Sequence, residues 1–181
     1  MQPTVAEFRE IVLPASVFGV LRRELGSGTS PLAAIHALHA AGHASGTEAA
    51  EAFRASADGD VSHLSTDAFW GRVEGFFARR GWGTVKHVDR HEGVGFLVSG
   101  DWAEAGFHSE GEEEVACSFS NGFLSGFLTR LAAGPVAVLE VTCRGRGDDA
   151  CTFAFGSGDA IHELYGRLLE GEDLDQVLAA L

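Results

Sequence analysis

Apolar residues recur at helical spacing through the N-terminal part of the chain. Val17, Leu21 and Leu25 lie four apart and give one buried face. Ser30 followed by Pro31 combines an N-cap hydroxyl with a proline at the first helical position, which predicts the start of a second helix. We therefore predict three helices, over about residues 4–26 with an interruption near Pro14, 31–56, and 66–80 with a cap at Ser65 or Thr66.

After Gly81 the pattern changes to short runs that are rich in β-branched and aromatic residues. Residues 82–90 and 94–99 are separated by a His-Glu-Gly turn and predict a β-hairpin. Residues 135–143 and 151–156 predict a second hairpin in the same way. Two antiparallel hairpins favour a sheet of about four strands.

Between the hairpins, residues 117–133 return to helical spacing with apolar residues on most sides, which is typical of a buried central helix. A closing helix begins near Asp159 and is expected to break at Gly171. The resulting order, ααα-ββ-α-ββ-α, predicts an α+β fold in which helices cover an antiparallel sheet. We expect one domain over residues 1–181, made of a helical N-terminal extension suited to dimerisation and a region with the sheet and a metal site, at residues 1–60 and 82–181.

Glycine pairs four residues apart occur in two of these helices. Gly42 and Gly46 lie in the second helix, and Gly122 and Gly126 lie in the central one. Glycine lowers helix propensity, but it lets a second backbone approach closely. The pairs therefore indicate positions of close packing.

The charge of the chain limits the classes of partner. The formal net charge is −13 and the sequence pI is about 4.9, without the basic patch that nucleic acids require. We therefore expect no binding to nucleic acid and none to an anionic membrane surface. Glu7, Arg9 and Glu10 are unlike the apolar centre of a signal peptide, and no apolar run reaches the ~20 residues of a membrane helix. We expect a cytoplasmic protein with reduced thiols, which argues against a disulfide.

The three cysteines and one glutamate have a spacing that permits a metal site. Cys143 and Cys151 flank the loop of the second hairpin, Glu140 lies on its first strand, and Cys117 begins the central helix. Zinc accepts thiolate and carboxylate ligands in a closed tetrahedral site. Residues 140 and 143 would point to opposite faces of a regular strand, so both can ligate only if the strand bends or ends near Val141. The spacing alone leaves open a second reading, in which the three thiols are small buried hydrophobes.

The stretches CSFSNGFLSGFL at residues 117–128 and LEVTCRGRGDDACTF at residues 139–153 resemble the 4-vinyl reductase domain family. This family includes the aromatic-effector sensor domains of bacterial transcription activators. The spacing Cys-x22-Glu-x2-Cys-x7-Cys is similar to the zinc site of the phenol-sensing members. The resemblance implies that the zinc ligands are Cys117, Glu140, Cys143 and Cys151.

The resemblance also implies a fold, a ligand and an assembly. The fold is the one that haem-NO-sensor-associated domains share with Golgi vesicle-tethering subunits, described as the NO-signalling/Golgi-transport ligand-binding fold. A pocket for a small apolar molecule lies beside the sheet, and homodimers are common. Aromatic residues from three regions of the chain, with one glycine and one histidine, are candidates for this pocket, although core packing is the alternative for each of them: Trp70, Phe96, Trp102, Phe107, His108, Phe119, Phe123, Gly126 and Phe127.

These observations predict a zinc-stabilised protein, a sensor or carrier, that binds a small hydrophobic or aromatic ligand and passes any signal to a separate partner. Four protein ligands leave no open position on zinc, so the metal is expected to be structural. One alternative is an enzyme or accessory factor in tetrapyrrole vinyl-group reduction, but the sequence shows no flavin, nicotinamide or iron–sulfur motif. Another alternative is an adaptor that binds only protein. His36, His39 and His43 share one helix face and indicate either a second metal site or a helix contact.

Overall fold

Residues 10–56, 61–107 and 117–181 are described by the computed structural model, and they form six α-helices and one four-stranded sheet. The helices are α1 (Val17–Gly28), α2 (Pro31–Ala55), α3 (Thr66–Arg79), α4 (Ser118–Ala132), α5 (Gly158–Leu169) and α6 (Leu174–Leu178). The strands are β1 (Lys86–His91), β2 (Val94–Ser99), β3 (Ala137–Thr142) and β4 (Cys151–Gly156). The predicted order and the α+β class are confirmed. In this part of the chain, no helix is both long enough and apolar enough to cross a membrane.

Capping residues explain where several helices begin and end. The Ser30 hydroxyl accepts a hydrogen bond from the Ala33 N–H at the start of α2, and the Ser65 hydroxyl accepts one from Ala68 at the start of α3. The division between α5 and α6 falls at Gly171, whose φ of +85° suits glycine.

The first helix is shorter than predicted. Helix α1 begins at Val17, and residues 10–14 are not helical, while residues 4–9 lie outside the described residues. Pro14 is the physical reason, because its ring prevents a helix from continuing through it. The Pro14 carbonyl accepts a hydrogen bond from Val17 and forms the turn that opens α1.

The two hairpins join into one antiparallel sheet of order β1-β2-β4-β3. Its two faces bury different cores. Leu97 and Phe153 pack with α2, α3 and α4, whereas Phe96 and Ala154 pack with α5 and α6. Strand β3 lies at one edge of the sheet, next to β4.

Helices α2 and α4 approach each other through the glycine pairs. A Cβ atom at Gly42 would lie 2.1 Å from the Phe119 carbonyl oxygen, and one at Gly122 would lie 2.0 Å from the His39 carbonyl oxygen. Gly46 and Gly126 are as close to the backbone of the opposite helix. The predicted close packing is therefore a contact between these two helices.

Candidate functional site

The four residues predicted to bind zinc form one buried cluster. Their ligand atoms, three sulfurs and one carboxylate oxygen, all lie within 4.8 Å of one another. The sulfurs of Cys117 and Cys143 are 3.7 Å apart. Zn–S bonds of about 2.3 Å in a tetrahedron place two sulfurs about 3.8 Å apart, so this spacing suits a shared zinc ion.

A bulge in β3 brings Glu140 and Cys143 to the same side of the sheet. Glu140 pairs with Phe153, but Thr142 pairs with Thr152, so β3 holds one residue more than β4 at this point. The extra residue changes the alternation of side chains, and Cys143 follows directly after the strand. This bulge is the bend that the odd spacing of the two ligands required.

Hydrogen bonds orient the ligands and leave one oxygen available. Glu140 Oε2 accepts a hydrogen bond of 3.1 Å from the Cys117 N–H, while its Oε1 is buried and has no hydrogen-bond partner among the described residues. The Cys143 N–H donates to Asp148 at 2.7 Å, which fixes the loop between the last two cysteines. A buried oxygen without a partner fits a carboxylate that is arranged to bind a cation.

Protonation at this cluster is strongly coupled in the absence of metal. Burial, followed by the neighbouring Cys143, raises the pKa of the Glu140 carboxyl to about 8. Hydrogen bonds to Cys143 and Cys151 raise the pKa of Cys117, whereas thiol donors from Cys117 and Cys143 lower the pKa of Cys151 to about 4. The two shifts are opposite because one thiolate is stabilised by the S–H groups of its neighbours. A divalent cation would take the place of these shared protons.

Glu104 is a buried residue at this site that the sequence analysis missed. It is 1% exposed and accepts hydrogen bonds from the backbone N–H groups of Phe119, at 3.2 Å, and Ser120, at 2.7 Å. Arg22 of α1 lies 3.2 Å from its Oε1, and burial raises its pKa. Glu104 therefore holds the first turn of α4, directly beside Cys117. It lies in a stretch with no periodic pattern, so no signal in the sequence marked it.

The predicted aromatic residues of the α4 side lie close together in the core. Trp102, Phe123 and Phe127 are at most 5% exposed, and Phe119 packs against them. Trp82 adds to the set, with ring centroids 4.6 Å from Phe123 and 5.4 Å from Trp102. These rings form a connected aromatic core.

The other predicted pocket residues are dispersed. Phe96 faces α5 and α6 on the opposite side of the sheet, and Trp70 stacks on His87 at a centroid distance of 4.2 Å. Gly126 faces α2, Phe107 is 38% exposed, and His108 lies outside the described residues.

The three histidines of α2 lie at its contact with α4. The carbonyl oxygens of His39 and His43 are the atoms that Gly122 and Gly126 approach. Burial, followed by repulsion from His43 and His36, lowers the pKa of His39. This position favours the helix-contact interpretation of these residues.

A groove of about 640 Å³ runs along the outer side of β3. We call it the β3 groove, and define it by the start of α2, the end of α5, and β3 with Arg146 and Asn121. Leu32 and Leu169 lie on its walls and are 61% and 69% exposed. None of the predicted pocket residues lines this groove.

Comparisons with known proteins agree with this architecture. Residues 104–157, which include all four residues of the cluster, match the family model of the vinyl-4-reductase domain. This match confirms the resemblance to the 4-vinyl reductase domain family. The comparison with curated protein sequences gave no match.

Three solved structures share the fold. The phenol-responsive sensory domain of the transcription activator PoxR, solved with phenol, is 20% identical, with a TM-score of 0.66 over 82% of this chain and 76% of that chain. Subunit 3 of a trafficking protein particle complex from Naegleria fowleri, covalently bound to palmitic acid, is 14% identical, with a TM-score of 0.65 over 78% of this chain and 91% of that chain. A vinyl-4-reductase family protein from Methanocaldococcus jannaschii is 16% identical, with a TM-score of 0.50 over 81% of this chain and 83% of that chain. At these identities the likeness concerns the fold.

Proposed function

We propose that this chain is a zinc-stabilised protein that binds a small hydrophobic or aromatic molecule, as a sensor or a carrier. The observation that carries the proposal is the buried cluster of three cysteines and one glutamate. The domain match over residues 104–157 and the fold shared with a phenol-responsive sensory domain support the ligand-binding part.

Zinc at this cluster would have a structural role. Cys117, Glu140, Cys143 and Cys151 would fill its four positions and leave none for water or substrate. The ligands come from the β3–β4 hairpin and from the residue before α4, so the ion would join two elements that are distant in sequence. Metal that binds only this folded arrangement adds its binding free energy to folding.

The aromatic core around Trp102, Phe119 and Phe123 is the proposed contact surface for an aromatic ligand. Its rings already pack on one another at centroid distances of 4.6 to 6.2 Å, which are ordinary for aromatic pairs. A flat apolar molecule would meet the same kind of surface. We also propose a cytoplasmic homodimer that passes its signal to a separate partner.

Elemental analysis of the purified protein tests the metal. We expect one zinc per chain, and we expect Cys151→Ser to lose it because a thiolate ligand is removed. Glu140→Gln should retain part of the zinc, since an oxygen ligand remains. A folded, metal-free protein with three free thiols would contradict the proposal.

Thermal unfolding of the zinc-loaded protein tests the ligand. A ligand that binds the folded state raises the melting temperature by mass action, so phenols, xylenes or porphyrin precursors should raise it. Phe119→Leu keeps most of the side-chain volume but removes a ring, and should weaken the effect of aromatic ligands. Gly126 is not a suitable position for this test, because a Cβ there would lie 2.1 Å from the His43 carbonyl oxygen. If no compound of the panel shifts the melting temperature, the ligand-binding part is wrong.

A further inference from the structure

The β3 groove has the shape and lining of a ligand site. Its volume of about 640 Å³ lies within the range of small-molecule pockets. Leu32 on α2 faces it from one side, and Tyr165 and Leu169 on α5 face it from the other, with exposed fractions of 61%, 47% and 69%. Large apolar side chains that line one groove and remain this exposed favour an apolar occupant.

Two features of the groove attract negative charge. Arg146 lines it and uses one of its five N–H donors on the Val141 carbonyl, at 3.2 Å, so donors remain for a ligand. Ser30, Pro31 and Leu32 also line it, and they form the start of the 25-residue helix α2. The N-terminus of a helix carries partial positive charge and unpaired N–H groups.

The remaining polar side chains of the groove do not oppose an anion. Glu140 is 6% exposed, and its Oε2 faces inward to the Cys117 N–H. Asn121 is 8% exposed, and its Oδ1 has no hydrogen-bond partner among the described residues. Rotation of this amide exchanges its oxygen for an NH₂ donor, which can serve an anionic group.

We propose that the β3 groove binds an amphipathic carboxylate, with its apolar chain against the leucines of α2 and α5 and its carboxylate on Arg146 and the start of α2. The inference rests on the proposed ligand-binding function, but it concerns a different surface from the aromatic core. The ligand class follows from the combination of an apolar groove with one cationic side chain.

Calorimetric titration of the zinc-loaded protein with decanoate tests the inference. Decanoate should bind, butyrate should not because its chain is too short to cover the walls, and 1-decanol should bind more weakly because it lacks the charge. Arg146→Gln should weaken decanoate binding about tenfold, the effect expected of one charge-assisted hydrogen bond, and should leave 1-decanol unchanged. Arg144→Gln is the matched control, because Arg144 is an exposed arginine of the same loop outside the groove.

Leu169→Glu tests the walls, since it adds a negative charge at an exposed position where folding tolerates it. It should abolish decanoate binding, whereas Val88→Glu on β1, which is 37% exposed and outside the groove, should not. Absence of decanoate binding, or equal effects of the two glutamate variants, would overturn the inference. A change of oligomeric state in Leu169→Glu would also overturn it, because the groove would then be an interface between copies. Aromatic ligands that bind all these variants equally would leave the proposed function standing without the groove.

Discussion

Two buried glutamates hold the first turn of α4 at different N–H groups. Glu140 accepts from Cys117, and Glu104 accepts from Phe119 and Ser120. The first N–H groups of a helix have no partner within the helix, and an anion near them is stabilised by the helix dipole. Because Cys117 immediately precedes α4, both carboxylates also set the position of a proposed metal ligand.

Removing the Glu104 carboxylate should destabilise the protein markedly. Glu104→Ala leaves two N–H groups of α4 and the guanidinium of Arg22, whose side chain is 14% exposed, without this partner. We expect the free energy of unfolding to fall by about 2–4 kcal/mol, with a smaller loss for Glu104→Gln. Urea denaturation of the zinc-loaded protein measures it.

Glu24→Ala is the control for this prediction. Its pair with Arg23 is 65% exposed on both sides, so its loss should stay below about 0.5 kcal/mol. Equal losses in Glu24→Ala and Glu104→Ala would show that the buried network contributes nothing.

At the level of elements, α2 and α4 pack with their backbones in contact. Glycines of each helix lie against carbonyl groups of the other, so the pair has no room for a methyl group. Four glycines would weaken isolated helices, but tertiary packing outweighs propensity here. The two helices are therefore expected to behave as one rigid body.

Alanine substitutions should separate packing from propensity. In Gly122→Ala the new Cβ would lie 2.0 Å from the His39 carbonyl oxygen, so the helices must move apart, and we expect a loss of about 2–4 kcal/mol. Gly71→Ala on α3 has no atom within 4 Å of its new Cβ and should stabilise the protein by about 0.5–1 kcal/mol. Denaturant unfolding of both variants checks the signs. A stabilising Gly122→Ala would contradict the observed packing.

At the scale of the whole molecule, the N-terminal region exposes apolar residues that invite a partner. Val12 is 98% exposed and Ile11 is 78% exposed, and Val20 and Leu21 of α1 are more than 40% exposed. The net charge of −13 opposes association of two copies, so apolar burial would have to overcome repulsion. This surface supports the proposed homodimer.

Sedimentation at micromolar concentration should show a species of twice 19.1 kDa. Salt screens the repulsion between two acidic chains, so the dimer should strengthen as salt rises. Leu21→Glu should give monomers, while Leu169→Glu on the wall of the β3 groove should not. A monomer for the unaltered chain would contradict the proposed homodimer.

The sequence was sufficient for local features of the fold and insufficient for contacts between elements. Ser30 and Ser65 marked helix starts because capping depends on neighbouring residues alone. The candidate metal residues were recognisable because spacing and residue type suffice to identify them. The side of the sheet that Phe96 faces depends on strand order, and Glu104 depends on the position of α4, so neither was predictable from a pattern along the chain.

The bulge in β3 also bears on solubility. An edge strand offers a row of free backbone groups on which another chain can add a strand, the first step of aggregation. A bulge interrupts this row, and Arg146 occupies the Val141 carbonyl at the same point. The local irregularity that lets Glu140 and Cys143 share one side of the sheet would therefore also protect the edge of the sheet from self-association.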